Sequence, residues 1–361
     1  MLKLIHGADF HLDSPFSGLT PEQAALRRSE QRQLLDALAQ LAREKEADLV
    51  LLSGDLLDSE RVYRETAQAL ARALGNIPCP VFIAPGNHDP YTPGSVYATL
   101  EWPDNVHIFQ EAHITQVDLP EQNCTVYGRA FTSSYYTVSP LAGFQAQRTG
   151  DRLQIMCLHG EVASQSNYAP ISPADIAASG LDYLALGHIH QTSGLRREGD
   201  TFWAYPGCPE GRGFDERGRK GVLYAEVEPG HTATQFIPLG RHNYEVLSVD
   251  VTGRDPLTAI QAALPEHTQA DIYRILLTGE GEAPNRAALE TALAPRFYSL
   301  TLLDRTRLPR DLWARREEDT LTGLFLQAMW EKCREEPDNQ TYQLAVRFGL
   351  AALENGEDTA L

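Results

Sequence analysis

The first two thirds of the chain alternate short apolar runs with segments of helical periodicity, and polar clusters follow five of the runs. We expect strands at residues 2–6, 48–53, 80–85, 125–131, 153–159, 181–187 and 201–207. This alternation is typical of a layered α/β domain. A chain of this kind must build a sheet whose strand ends carry the polar clusters.

Two of the intervening segments predict helices. Thr20 stands at the N-cap position, Pro21 follows at the first helical position, and Gln23 completes the pattern of a capping box. Leucines then recur at helical spacing, at positions 34, 35, 38 and 41. A second helix is expected within residues 60–76, before the third strand.

The pattern changes near residue 240, where a compact β-α-β-α-β segment begins and continues to about residue 305. Two helical segments follow it. We therefore expect a main α/β domain, a smaller α/β domain and a C-terminal helical region, at residues 1–240, 241–310 and 311–361.

Composition limits the classes of function. The 361 residues exceed one ordinary core, and the net charge of −18 weighs against indiscriminate binding to nucleic acid backbones. Divalent metals or a local basic patch could still serve a nucleic-acid substrate. Five scattered cysteines without a Cys-x-x-Cys pair argue against a disulfide framework and against structural zinc. With neither a membrane-length apolar run nor a secretory signal, we expect a cytoplasmic protein.

The polar clusters contain metal-ligand side chains. They are Asp9 with His11, Asp55, the run Asn87, His88 and Asp89, His159, and His188 with His190. In a parallel sheet, groups that follow the carboxyl ends of different strands converge on one edge. Asp9 and His11, like the later histidine pair, are two residues apart, which in an extended segment sends both side chains to the same side. Mixed oxygen and nitrogen donors without thiolate suit manganese, iron or zinc.

The motifs resemble the calcineurin-like metallophosphoesterase superfamily, whose pattern is D-x-H, G-D-x-x-(D), G-N-H-(D/E), a lone His and G-H-x-H. Within it, "HGADFHLDSPFSGL" and "YPGCPEGRGFDERGRKG" are similar to segments of the SbcD and YhaO group of DNA repair exonucleases. The resemblance is specific over residues 1–240. It implies a four-layer α-β-β-α sandwich with a smaller α/β capping domain and C-terminal helices. One departure is Cys208, where serine is usual.

The resemblance also implies a site for two divalent ions, with Mn²⁺ the expected metal. One ion would be held by Asp9, His11, Asp55 and His190, and the other by Asp55, Asn87, His159 and His188. Asp55 would bridge them by offering one oxygen to each, and a hydroxide between the ions would be the nucleophile. His88 would face the scissile phosphate, and Asp89 would fix the orientation and tautomer of its ring.

A basic loop follows the last of these strands. We expect Arg212, Arg217 and Lys220 to contact substrate phosphates, with an ordinary solvated loop as the alternative. The run "SSYYTVSP" offers tyrosines that could stack on unpaired bases, although surface tyrosines usually have no such role.

Two other polar residues have weaker interpretations. Asp58 either supports the site from behind the ligands or is an N-terminal carboxylate of a helix. His6 is expected to be a hydrogen-bonded core histidine.

The leading hypothesis is a manganese-dependent DNA exonuclease of DNA repair that acts with a coiled-coil ATPase of the SbcC type. In SbcD-like proteins such a partner docks after the capping domain. Here that region carries an apolar stripe at helical spacing, formed by Leu321, Leu324, Phe325, Ala328 and Met329. Packing of the stripe inside its own domain is the alternative.

Two other functions stay open. A phosphodiesterase or phosphatase for small nucleotides would use the same metal site. A scaffolding subunit with an inactive site is opposed by the presence of every expected ligand. The pattern does not decide whether the chain forms a homodimer, and we expect no association with a membrane.

Overall fold

The computed structural model describes residues 1–148, 150–281 and 284–355; residues 354 and 355 are described by their backbone alone. The chain divides into two compact units, Met1–Arg241 and His242–Leu361.

The first unit contains most of the strands. They are β1 (Leu2–Gly7), β2 (Leu49–Leu52), β3 (Val81–Ile83), β4 (Val106–Ile108), β5 (Thr115–Leu119), β6 (Cys124–Gly128), β7 (Leu153–His159), β8 (Glu161–Val162), β9 (Pro170–Ile171), β10 (Tyr183–Gly187), β11 (Arg196–Glu198), β12 (Thr201–Ala204), β13 (Gly221–Glu228) and β14 (His231–Pro238). Its helices are α1 (Pro21–Glu44), α2 (Arg64–Gly75), α3 (Val96–Thr99) and α4 (Pro173–Ala178).

These strands form two six-stranded sheets and a short pair, β8 with β9. The first sheet has the order β14-β13-β1-β2-β3-β4, in which β1 to β4 are parallel and β13 is antiparallel to both neighbours. The second has the order β11-β12-β10-β7-β6-β5, in which β6, β7, β10 and β12 are parallel. Each sheet therefore gathers the carboxyl ends of its parallel strands at one edge.

The sequence of α1 explains how this helix begins. The Thr20 side chain accepts from the Gln23 N–H at 3.3 Å, and the Gln23 side chain accepts from the Thr20 N–H at 3.1 Å. This reciprocal pair is the predicted capping box, which satisfies two helix-end donors. Leu35 and Leu38 on the same helix are buried against the first sheet.

Apolar packing defines four layers. Leu4 and Leu51 of the first sheet share one buried cluster with Ile155 and Tyr183 of the second, so the two sheets pack face to face. Helices α1 and α2 cover the outer face of the first sheet. On the second sheet, Ile176 of α4 packs in another buried cluster. The predicted α-β-β-α sandwich is confirmed.

The second unit is a smaller α/β structure with helices after it. Its parallel sheet has the order β15-β16-β17, formed by Tyr244–Asp250, Ile272–Thr278 and Ser299–Asp304. Its α-helices are α5 (Pro256–Ala263), α6 (Arg286–Leu293), α7 (Leu321–Glu335) and α8 (Gln340–Asn355), with 3₁₀ turns at Ala294–Arg296 and Arg310–Glu317. The predicted β-α-β-α-β order and the C-terminal helices are both present. The domain roles predicted for 1–240, 241–310 and 311–361 stay predictions.

Candidate active site

The predicted site residues lie at the ends of five strands. Asp9 and His11 follow β1, Asp55 follows β2, Asn87, His88 and Asp89 follow β3, His159 ends β7, and His188 and His190 follow β10. Main-chain hydrogen bonds join the first two loops, because the Asp9 N–H donates to the Gly54 carbonyl at 3.0 Å and the His11 N–H donates to the Asp55 carbonyl at 2.9 Å. The loops after β1 and β2 are therefore joined, and the His188 N–H, which donates to Asp9 Oδ1 at 3.0 Å, joins the loop after β10 of the second sheet to them.

The backbone at four of the site residues is left-handed, which differs from the extended geometry that the two-residue spacing suggested. Asp9, His11 and Asp55 have φ angles of 57°, 44° and 51°, and His188 has a φ of 110°. Such angles in residues that carry a Cβ cost about 1–3 kcal/mol each and concentrate at functional sites. The loops are strained in order to aim these side chains.

The predicted ligand side chains form two adjoining donor groups, and a third group, His11 with Asp58 and His88, overlaps the first. Ligand atoms of Asp9, His11 and His190 lie within 4.8 Å of one another, and so do those of Asp55, His159 and His188. These groups coincide with most of the two ligand sets that the resemblance implies. Their role as metal ligands stays a prediction.

Contacts of the Nδ1 atoms with oxygens leave the Nε2 atoms free to bind a cation. His159 Nδ1 lies 2.8 Å from the Ser53 carbonyl and His190 Nδ1 lies 2.6 Å from Glu216 Oε1, both in hydrogen bonds. His11 Nδ1 lies 3.2 Å from Asp58 Oδ1 in an ion-pair contact that lacks hydrogen-bond geometry. These oxygens only accept, so the proton of a neutral ring sits on Nδ1 and the Nε2 lone pair is bare. Burial lowers the pKa of His11 to about 4, which keeps that ring neutral. This donor arrangement fits a metal.

Two facing pairs of acceptor atoms also indicate cations. The Nε2 atoms of His11 and His190 are 3.2 Å apart, and His159 Nε2 lies 3.0 Å from Asn87 Oδ1. Because a neutral ring donating from Nδ1 has no proton on Nε2, such contacts bring lone pairs together. A positive ion relieves that conflict.

The carboxylates respond to one another. Burial, followed by the charge of Asp55, raises the pKa of Asp9 well above its usual value. Burial opposes ionisation of Asp55 as well, but His159 and His11 hold the pKa of this carboxyl below its usual value. Two buried carboxylates therefore share a site that lacks enough positive charge for both, which again fits divalent ions.

Asp55 faces both groups through a single oxygen. Its Oδ2 lies 3.8 Å from His11 Nε2 and 3.4 Å from His159 Nε2. Its Oδ1 accepts from the His88 N–H at 2.9 Å. Oδ2 is thus the oxygen of Asp55 that lies nearest both histidines, and the bridging of two ions by Asp55 stays a prediction.

His88 lies at the open side of the site. Its ring is exposed, and its Nδ1 is 3.1 Å from the main-chain carbonyl of Asp58. A pocket of about 510 Å³ next to it is lined by Asn87, Tyr135 and Tyr168 among others. The outward atom of the ring is thus Nε2.

Comparison with known proteins agrees with this geometry. The family model for the calcineurin-like phosphoesterase matches residues 2–192. The chain belongs to the calcineurin-like phosphoesterase family. Membership implies a metal-dependent phosphoester hydrolase, and the fold typically binds two divalent metals.

Two curated relatives are from Bacillus subtilis (strain 168). The chain is 33% identical over 280 residues to the uncharacterized metallophosphoesterase YhaO. This alignment covers 72% of this chain and 65% of that protein. It is 24% identical over 276 residues to the SbcD component of the nuclease SbcCD. This alignment covers 64% of this chain and 68% of that protein. The phosphoesterase thus spans just under two thirds of the length of YhaO. None of its helices in the described ranges has the length and apolar character needed to cross a membrane.

Asp89 of this phosphoesterase makes contacts that differ from the expectation. Its oxygens accept from the N–H groups of Asp55, Gly86 and Leu57 at 2.8 to 3.1 Å and from the Tyr97 hydroxyl at 2.6 Å. The carbonyl of Asp58, not the Asp89 carboxylate, holds the His88 ring. Asp89 therefore fixes the loop backbones that carry Asp55 and Asn87. Burial and the charge of Asp55 raise the pKa of Asp89 to about 7.

The basic loop also differs from the expectation. Lys220 is buried, and its ammonium donates to the His190 carbonyl at 2.8 Å. The Arg212 guanidinium pairs with Glu216 at 2.8 Å and with Asp58 at 3.0 Å. Arg217 is exposed. Two of the three predicted substrate contacts are therefore engaged inside the phosphoesterase, while Arg217 stays a prediction.

The sequence interpretation missed Glu216 and underrated Asp58. Both carboxylates hold a histidine Nδ1, as described above. No spacing rule pairs residues so distant in sequence, although the position of Asp58 three residues after Asp55 was a partial signal. His6 is the core histidine that we expected, since its ring bonds the Tyr183 hydroxyl at 3.0 Å and the Leu186 carbonyl at 3.1 Å.

Proposed function

We propose that the protein is a two-metal phosphodiesterase that hydrolyses DNA as a cytoplasmic repair exonuclease, with Mn²⁺ as its metal. The observation that carries this proposal is the pair of adjoining donor groups that share Asp55 beside the exposed His88. Two divalent ions held there would lower the pKa of a water and neutralise phosphate charge.

His88 is the group of this chain that we expect to meet the phosphate. Its neutral ring donates from Nδ1 to the Asp58 carbonyl, so Nε2 then carries no proton. His88 can donate to a phosphate oxygen only as the imidazolium. In that form it would stabilise negative charge or protonate the leaving oxygen.

A nucleotide substrate is supported by the aromatic lining of the pocket. The Tyr135 ring lies 6.0 Å from the Tyr168 ring, which lies 4.8 Å from the His188 ring. Tyr135 is 64% exposed and so is free to stack on a base. A DNA substrate is further supported by the similarity to the SbcD component of SbcCD and by a second unit that could position a polymer.

A small nucleotide is the second candidate substrate. The net charge of −18 disfavours a long phosphate backbone, and the metal groups would serve either ester.

The proposed partner is a coiled-coil ATPase of the SbcC type. On α7, Leu321 and Leu324 are 68% and 62% exposed, so part of the apolar stripe faces solvent. A partner helix could cover this stripe. Deleting residues 311–361 should abolish co-purification with the ATPase and leave hydrolysis of a simple phosphodiester intact; unchanged association would refute the docking proposal.

One experiment tests the proposed activity. The purified protein is incubated with Mn²⁺ and, separately, with end-labelled single-stranded DNA, end-labelled double-stranded DNA and bis-p-nitrophenyl phosphate. We expect cleavage of DNA from an end as well as of the small ester. Cleavage of the ester alone, even after the ATPase is added, would favour the small-nucleotide function, and no cleavage of any substrate would refute both.

A further inference from the structure

The loop between β12 and β13 holds the main chain of His190. Three donors of this loop reach the His190 carbonyl: the Lys220 ammonium at 2.8 Å, the Cys208 N–H at 3.3 Å and the Cys208 thiol at 3.5 Å. A carbonyl that accepts three bonds from one loop is fixed by that loop. The position of His190 therefore depends on residues 205–220.

The same loop also holds the ring. Glu216 Oε1 lies 2.6 Å from His190 Nδ1, and the Glu216 side chain is 8% exposed. A carboxylate on Nδ1 fixes the ring orientation and keeps the proton away from Nε2, which is the atom that faces His11.

Arg212 connects this hydrogen bond with a second carboxylate–histidine contact, the ion-pair contact of Asp58 with His11. Its Nη2 lies 2.8 Å from Glu216 Oε1, and its Nη1 lies 3.0 Å from Asp58 Oδ1. Asp58 Oδ1 in turn lies 3.2 Å from His11 Nδ1. One guanidinium, with its side chain 22% exposed, therefore spans two carboxylate–histidine pairs. The planar guanidinium of arginine carries several separate N–H donors and therefore suits this geometry.

In the other donor group, Asp55 with His159 and His188, a different contact orients the His159 ring. His159 Nδ1 donates to the main-chain carbonyl of Ser53, inside the strand framework. That support involves neither Arg212 nor the loop. The two groups thus differ in what orients their histidines.

We propose that Arg212 is a positioning residue which, through Asp58 and Glu216, holds His11 and His190 ready to bind one of the two metal ions, and that the other ion is independent of it. The proposal rests on the two-metal site of the proposed function. It does not depend on which phosphoester is the substrate.

Metal counting tests the proposal directly. Protein stripped with EDTA is titrated with MnCl₂ by calorimetry and by the EPR signal of free Mn²⁺. We expect the wild type to bind two ions. Glu216→Gln and Arg212→Met should each bind one ion with unchanged affinity and the other with an affinity about 10- to 100-fold lower. Asp215→Asn is the control for Glu216→Gln, because it also removes one negative charge, at the exposed residue next to Glu216. Its metal binding should match that of the wild type.

Two further measurements identify the affected ion. In a His159→Ala background, adding Glu216→Gln should weaken the remaining ion. In metal-free protein labelled with ¹⁵N-histidine, both variants should change the ring shifts that report the tautomer of His190. Arg212→Met should also change those of His11.

Three outcomes would overturn the proposal: equal weakening of both ions, no weakening, or the same effect from Asp215→Asn. Glu216→Gln is nearly isosteric, so it decides the question if Arg212→Met does not fold. If both ions bind as expected but DNA is not cleaved, the proposed substrate fails and the positioning role stands.

Discussion

Gly187→Ala should disrupt the site by forcing the two sheets apart. Gly187 is the last residue of β10, and a Cβ at this position would lie 1.8 Å from the Ser53 carbonyl oxygen and 2.9 Å from the Cβ of Ala8. The first contact is with backbone of the opposite sheet, which cannot rotate away. Gly187 has no left-handed φ. Glycine is thus needed here for close approach and not for a left-handed backbone angle.

The expected cost follows from the distance. Real Cβ atoms essentially never approach another atom within 3.0 Å, so the strands must separate by about 1 Å at this point. Overpacking of this kind costs about 1–3 kcal/mol, and backbone on the opposing side puts Gly187→Ala near the upper value. A shift of about 1 Å between groups that must act together can lower turnover about 100-fold.

Chemical unfolding, Mn²⁺ titration and turnover would measure these effects. Gly18→Ala is the matched control, because a Cβ there meets nothing within 4 Å and its φ is not left-handed; it should stay within about 0.5 kcal/mol of the wild type. A Gly187→Ala protein with wild-type stability and turnover would refute the packing argument.

Three other predictions concern the metal site. His88→Ala should keep both Mn²⁺ ions and lose turnover on the order of 10²- to 10⁴-fold; wild-type turnover would rule out its role. Since burial and the charge of Asp55 raise the pKa of Asp9, a bound cation should favour loss of its proton. Proton release on Mn²⁺ binding, measured from titration heats in buffers of different ionisation enthalpy, should therefore increase as the pH is lowered and should be smaller in Asp9→Asn; equal release by both proteins at every pH would contradict this. Mn²⁺ at about 100 times Kd should add about 2.7 kcal/mol per site to the free energy of unfolding. EDTA should reverse the resulting rise in thermal midpoint, and an unchanged midpoint would contradict binding to the folded state.

Local sequence rules predicted the elements whose signals are complete within a few residues. The capping box of Thr20 and Gln23 and the leucines after it determine α1 without help from distant residues. The hairpin of β13 and β14 was missed, although Pro229 and Gly230 separate two strand-like runs. Its place beside β1 depends on a pairing across more than 200 residues, Leu2 with Val227, which no local pattern contains.

The candidate ligands were predictable for a different reason. They follow directly after apolar strands, so sheet geometry brings Asp9 and Asp55 to one edge of the first sheet, and His159 and His188 to one edge of the second. The face-to-face packing of the two sheets then brings these edges together. The side chains that orient the ligands were not predictable in the same way. Arg212 and Asp58 are 154 positions apart in the sequence. Only the folded structure shows that this arginine of the basic loop pairs with a carboxylate of the site.

This use of the basic loop changes how substrate attraction must work. In a chain of net charge −18, Arg212 neutralises internal carboxylates, and Lys220 is buried against a carbonyl. Phosphate contacts need local positive charge; of the three predicted contacts in this loop only Arg217 is exposed, and Arg61 lines the pocket beside His88. Bound divalent ions would therefore supply attraction for the substrate as well as the chemistry. Substrate binding and hydrolysis should then depend on metal together, because the same donor groups underlie both.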